Sequence, residues 1–207
     1  PAEGAITEET TEVVYSYDAA AGEVVVLQLF PVDILADYDE PMIIIQDADG
    51  NELLRRESFG NTTAVWEFAA DGTYTIIASR ADDDSVGDYT LTLINPQELA
   101  MGDVIEGTTD NDTEVYFMYR ADDDFIVYFA RDGEFAPEVS VNFIDTDITP
   151  GSLDVIGVMG GSAVTEGAIG VFSGGETHVI KLGEALFDFS FGSTEADYLL
   201  EILAPGE

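Results

Sequence analysis

The chain repeats itself. Thr113-Glu114-Val115-Tyr116-Phe117-Met118-Tyr119-Arg120-Ala121 lies over Thr11-Glu12-Val13-Val14-Tyr15-Ser16-Tyr17-Asp18-Ala19, with Thr, Glu, Val, Tyr and Ala identical at the first, second, third, seventh and ninth places. Without a gap, the same alignment sets Ile126-Val127-Tyr128-Phe129 on Val24-Val25-Val26-Leu27. Further blocks follow in order: Asp145-Thr146-Asp147 on Asp47-Ala48-Asp49, Gly175-Glu176-Thr177-His178-Val179-Ile180 on Gly72-Thr73-Tyr74-Thr75-Ile76-Ile77, and Asp197-Tyr198-Leu199-Leu200 on Asp88-Tyr89-Thr90-Leu91. A unit of about 100 residues occurring twice means two copies of one domain, because a solenoid needs shorter units and more of them.

Within each copy the hydrophobic pattern has period two, and no run has helical period. Val13, Tyr15 and Tyr17 share one face of a strand, as do Ala64, Trp66 and Phe68. The run Glu23–Phe30 is apolar on both faces, as a strand inside a sandwich should be. The stretch Ala70–Asn95 holds two strands, each announced by a glycine and a tyrosine, and reads as a hairpin closing the unit. Seven or eight short strands per copy predict an all-β protein of two β-sandwich domains. The expected division is 1–97 and 98–207, with Pro96 to Gly102 as linker and an apolar, glycine-rich insertion near 151–167. Residues 1–10 are polar and acidic and suggest no strand.

The order of these elements resembles the bacterial pre-peptidase C-terminal (PPC) domain family, in two tandem copies of which the second diverges. The residues that carry the resemblance are Tyr15 and Tyr17, Gly22-Glu23-Val24-Val25-Val26, Asp47-Ala48-Asp49-Gly50-Asn51, Asp71-Gly72-Thr73-Tyr74-Thr75-Ile76 and Gly87-Asp88-Tyr89-Thr90-Leu91. In the second copy Thr177 is aligned with Tyr74, and Ala196 with Gly87. The resemblance implies a jelly-roll-like β-sandwich, appended to secreted peptidases as a non-catalytic accessory module. Some relatives bind calcium or insoluble substrate. The location so implied is extracellular, periplasmic or at the cell surface, and the partners are a parent peptidase, another protein or a polysaccharide.

Charge narrows the partners independently. The 43 acidic residues against 6 basic ones give a net charge of −37, far beyond the magnitude of roughly 2–8 usual for a small domain. Nucleic acid is excluded as a partner, since phosphate binding needs a basic footprint. Cations are the natural company, and screening by salt or divalent ions should relieve the self-repulsion. A saline habitat and a calcium-containing exterior both account for it. With no cysteine there is neither disulfide nor thiolate site. The apolar stretch Leu153–Phe172 is interrupted by Asp154, Glu166 and several glycines, so it is not expected to be a membrane span, and no targeting peptide is visible in these residues.

The candidate metal ligands are all oxygens. Asp47, Asp49 and Asn51 have the spacing that opens a calcium loop, repeated in part at Asp145 and Asp147. The same residues in a hairpin turn would cap their own backbone, with Gly50 at positive φ. Asp82-Asp83-Asp84 and Asp122-Asp123-Asp124 each follow an Arg-Ala pair, and each either gathers a divalent ion or faces water. His178 alternates away from Val179 and is expected to point outward. A Ser-His-Asp triad or a zinc site would have to be built around it, and zinc normally takes more than one His or Cys ligand. Trp66, Tyr15 and Tyr17 either pack in the core or form a sugar-binding platform.

Three functional readings follow. The first is a non-catalytic secreted accessory or interaction module with calcium as a structural ion and no other cofactor. The second is a carbohydrate-binding module using exposed aromatics, and the third a hydrolase built on carboxylates, although no pair of acids is singled out.

Overall fold

A computed structural model describes residues 1–32, 40–110, 114–132, 138–144, 153–158, 166–183 and 195–206. The chain is all-β and divides into two compact units. The first, Pro1–Asn95, contains β1 (Ala2–Ile6), β2 (Glu12–Ala19), β3 (Val24–Pro31), β4 (Pro41–Gln46), β5 (Glu52–Glu57), β6 (Thr62–Glu67), β7 (Gly72–Arg80) and β8 (Gly87–Ile94). These form two four-stranded sheets, ordered β1-β8-β3-β6 and β2-β7-β4-β5. All pairings within them are antiparallel.

Every connection in this unit carries the chain to the other sheet, except the β4–β5 hairpin, and that alternation is the jelly roll. It corrects the hairpin expected over Ala70–Asn95. β7 and β8 are both present, but they lie in opposite sheets, and the Ala81–Val86 loop crosses between them. Local turn chemistry announces where a strand starts; it does not tell which sheet the strand joins.

The second unit repeats the topology. It contains β9 (Gln97–Leu99), β10 (Val104–Asp110), β11 (Val115–Arg120), β12 (Phe125–Asp132), β13 (Glu138–Ile144), β14 (Leu153–Val158), β15 (Glu166–Phe172), β16 (Thr177–Gly183) and β17 (Glu195–Leu203). The sheets run β10-β17-β12-β15 and β14-β13-β16-β11-β9. Strand for strand, β10 to β17 stand where β1 to β8 stand in the first unit. β14 falls within 151–167, read as an insertion, and lies beside β13 as β5 lies beside β4. The added strand is β9, formed by residues read as linker, which pairs in parallel with β11. β1 and β10, AEGAI and VIEGTTD, are not announced in the sequence either, being without clear alternation.

Burial follows the pleat. In the first unit the inward residues Val25, Leu27 and Leu29 of β3, Ile43 and Ile45 of β4, and Ile76 and Ala78 of β7 form one core with Ile6, Trp66, Phe68 and Tyr89. β3 is buried along both faces, in keeping with its interior place between β8 and β6. The second core gathers Phe117, Tyr119, Phe125, Val127, Phe129, Ile180, Leu182, Tyr198 and Leu200.

One device occurs in both units. Tyr89 of β8 stands opposite Gly4 of β1, and Tyr198 of β17 opposite Gly107 of β10. A β-carbon on Gly107 would come 2.7 Å from the Tyr198 hydroxyl oxygen, and one on Gly4 would likewise collide with Tyr89. Each tyrosine ring therefore covers a glycine on the edge strand, and only glycine leaves room for it. In the first unit the ring also reaches the other sheet, where the Tyr89 and Tyr15 hydroxyls lie 2.8 Å apart. Phe117, in the place of Tyr15, has no hydroxyl to answer Tyr198.

Trp66 is 8% exposed and packs in the first core, yet its indole N–H has no hydrogen-bond partner among the described residues. Its counterpart in the second unit is Phe172: Pro31 opposes Tyr89 as Arg131 opposes Tyr198, which matches Val25 with Phe125, two residues from the alignment read in the sequence, and Trp66 opposes Val25 as Phe172 opposes Phe125. An unpaired buried donor costs about 1–3 kcal/mol. Trp66→Phe should therefore lower stability by less than about 1 kcal/mol, whereas Trp66→Ala should cost about 3–5 kcal/mol, both read from urea unfolding midpoints.

Candidate functional site

The acidic segments named from the sequence occupy separate places. Asp47–Asn51 is the β4–β5 turn. Asp47 Oδ1 accepts hydrogen bonds from the backbone N–H of Asp49 (2.9 Å) and of Asn51 (2.8 Å), while Oδ2 accepts one from Asn51 Nδ2 (2.8 Å). Gly50 takes φ of 81°. These are the bonds of a self-capped turn. The Asn51 side-chain bond, followed by the Asn51 backbone N–H, holds the Asp47 carboxyl below its ordinary value.

Asp82-Asp83-Asp84 follows β7 in the crossing loop. There Asp82 Oδ1 accepts from the Asp84 N–H at 3.0 Å, and the Ser85 hydroxyl beneath accepts from the Glu40 N–H. Asp47 and Asp82 stand at opposite ends of β7, because Gln46 opposes Thr75 while Pro41 opposes Arg80. A strand of this length spans roughly 26 Å, so the two groups cannot share an ion. Asp145 and Asp147 lie outside the described residues.

Asp122-Asp123-Asp124 forms the β11–β12 turn of the second unit. Around it the Ser173–Glu176 turn is fastened by three hydrogen bonds: Ala121 N–H to the Glu176 carbonyl (3.2 Å), Gly175 N–H to the Ala121 carbonyl (2.6 Å), and Gly174 N–H to Asp124 Oδ1 (3.1 Å). Gly174 packs flat on the Asp123 backbone, where a β-carbon would meet the carbonyl carbon at 2.5 Å. The three exposed aspartates, Gly174 and Pro205 line an open depression of about 420 Å³. Among the described residues, no three carboxylate or imidazole groups converge to hold one metal ion. The depression can concentrate cations electrostatically without supplying a coordination shell.

His178 is a correction. It was expected outward, but it is 3% exposed. The sequence alignment was one residue out in this strand. Tyr17 opposes Tyr74, and the matching Tyr119 opposes His178, so His178 takes the inward place of Tyr74 rather than that of Thr75. Its ring lies edge-on to Phe125, with centroids 4.8 Å apart, and its Nε2 donates to the Ser173 carbonyl at 3.0 Å. Burial pushes its pKa down, against smaller upward pulls from the Ser173 carbonyl and Glu176.

The aromatics also turn inward. Trp66 and Tyr74 are buried, Tyr15 and Tyr17 pack against the first core, and the Tyr17 hydroxyl donates to Glu23 Oε1 at 2.6 Å. These side chains serve packing, so a sugar platform built on them is not what the fold presents. A surface that the sequence did not suggest lies on the β10-β17-β12 sheet. An open groove of about 530 Å³ there is lined by Glu106, Gly107, Thr108, Ala130, Asp197, Tyr198 and Leu199, with Thr108 Oγ1 donating to Asp197 Oδ1 at 2.7 Å.

No protein-family model matches the chain, and no curated protein does. Among solved structures, the chain is similar to the tandem CBM22-1-CBM22-2 domains of Paenibacillus barcinonensis Xyn10C, at 8% identity over 91% of this chain and 82% of that one, with a TM-score of 0.31. It is also similar to the M60 catalytic domain with CBM51-1 and CBM51-2 of Clostridium perfringens ZmpB, at 10% identity, covering 93% of this chain but 34% of that one, with a TM-score of 0.31. A third is the CUB1-EGF-CUB2 segment of human MASP-1/3, at 10% identity over 97% and 99% of the two chains, with a TM-score of 0.24. Likeness this low says nothing of ligand or activity.

The His178 geometry has a pH consequence. The folded state holds the ring neutral, while the unfolded chain binds a proton as pH falls below 6.5. The unfolded state then carries more protons, so the contribution is whole above that pH and declines from there down to the lowered folded pKa. His178→Tyr, copying Tyr74, should flatten the fall in urea midpoint between pH 7.5 and about 5.5, a window above most carboxylate titration. An unchanged slope would show that the ring is not held neutral.

Proposed function

We propose that the chain is a non-catalytic accessory or interaction module of the extracellular or cell-surface kind, related in plan to the PPC domains whose residue order it resembles. The observation that carries this reading is the commitment of its chemically versatile side chains to the interior. The sole histidine is packed against Phe125, and Tyr15, Tyr17, Trp66 and Tyr74 belong to a core or its margin. What faces water is acidic loop and sheet surface, suited to contact rather than turnover. Partners on this reading are a protein, a parent peptidase or a polysaccharide.

The hydrolase alternative now has a definite place to be tested, since Glu106 and Asp197 line one groove. Incubation with fluorogenic casein and a panel of nitrophenyl glycosides between pH 4 and 8 should give no turnover. Turnover that Asp197→Asn abolishes would sink the non-catalytic reading.

Calcium enters as a structural ion in the same proposal, through the exposed aspartates 82–84 and 122–124 and the Asp47 turn. Support for it is the repulsion between neighbouring carboxylates in a chain of net charge −37. Millimolar calcium should raise the melting temperature above the value in sodium chloride of equal ionic strength. Asp122→Asn with Asp123→Asn should remove part of that difference. Equal melting temperatures in the two salts would eliminate the calcium role and leave general screening.

A further inference from the structure

The two units differ at one edge. In the second, β9 lies in parallel on β11, with Gln97, Glu98 and Leu99 opposite Phe117, Met118 and Tyr119. Leu99 is 5% exposed and joins the second core with Phe117 and Tyr119. Glu98 is 3.5 Å from Arg120. Under this cover β11 is buried from Tyr116 to Tyr119.

β2 stands in the same place in the first unit, and among the described residues it pairs only with β7. The inward side chains Val13, Tyr15 and Tyr17 remain only partly buried, and the outward Val14 is 62% exposed. An edge strand with unpaired backbone groups beside an incompletely covered apolar margin is a template for another strand.

We propose that the β2 edge at Tyr15–Tyr17 accepts an extended segment of a partner protein, parallel to β2, with an aliphatic residue over Tyr17 and a basic residue just before it. The aliphatic requirement comes from Leu99, which does this for Tyr119. The basic requirement comes from the charge that replaces Arg120. Since Tyr17 matches Tyr119, Arg120 is matched by Asp18, which is exposed. A glutamate in the place of Glu98 would meet that carboxylate; lysine or arginine would pair with it. The preference also disfavours a β9-like segment from a second copy of this acidic chain.

The test joins a copy of residues 95–103 directly ahead of Pro1 of the full chain. Unit two's own connector length is thereby kept, and tethering raises the effective concentration so that weak affinity cannot hide binding. Three versions are compared: one with Glu98→Lys in the copy, one unchanged, and one with Glu98→Lys and Leu99→Asp. Hydrogen exchange at the Val14–Asp18 amides is followed by NMR. The lysine version should slow exchange by at least about tenfold, the unchanged copy less, and the aspartate version not at all. High salt should narrow the gap between the first two. The same protection in a dimer would show the edge filled from a second molecule and would support its acceptor role. Exchange unchanged in all three, or slowed equally in all three, would overturn the proposal.

Discussion

Cohesion in this protein rests on apolar burial between paired sheets, because its charges oppose it. With 6 basic residues against 43 acidic ones, ion pairing cannot be general. Among the described residues an example is Arg55 with Glu52 at the β5 edge, where both side chains are exposed. Such exposed pairs contribute at most about 1 kcal/mol. The stabilising term is left to the inward faces of the strands, where Val, Leu, Ile and aromatic side chains leave water together. The acids can then be spread over turns and outer faces, where solvent and salt weaken their repulsion.

This division of labour explains what the sequence disclosed. Period-two patterning records which face of a strand is buried, so β2, β3, β4, β6 and β7 could be read from Val13 to Ile77, and their repetition gave the second unit. Patterning says little about a short edge strand. Ala2–Ile6 and Val104–Asp110 owe their places to a glycine beneath a tyrosine from the neighbouring strand, a long-range fit with no local signature. Nor does it choose between sheets, which is why β7 and β8 looked like partners when each pairs elsewhere.

The candidate sites were legible in a similar way. Asp47-x-Asp49-x-Asn51 was readable as a turn because its bonds are to its own neighbours. His178 was misplaced because a one-residue slip in a strand exchanges the two faces. Only the strand register, Tyr119 against His178, fixes it inside. The Glu106–Asp197 groove was not legible at all, since its walls come from strands far apart in sequence.

β9 also has a consequence for how the chain meets a protease. β8 ends at Ile94 and β9 begins at Gln97, so Asn95 and Pro96 alone are left outside strands between them. A protease needs a run of extended, unpaired backbone to enter its cleft, and loop tips usually supply it. Here the sheet of the second unit has taken up the connecting segment, and a proline occupies half of what remains. The joint that would ordinarily be the first place to be cut is withdrawn from proteolysis by the same hydrogen bonds that widen the sheet.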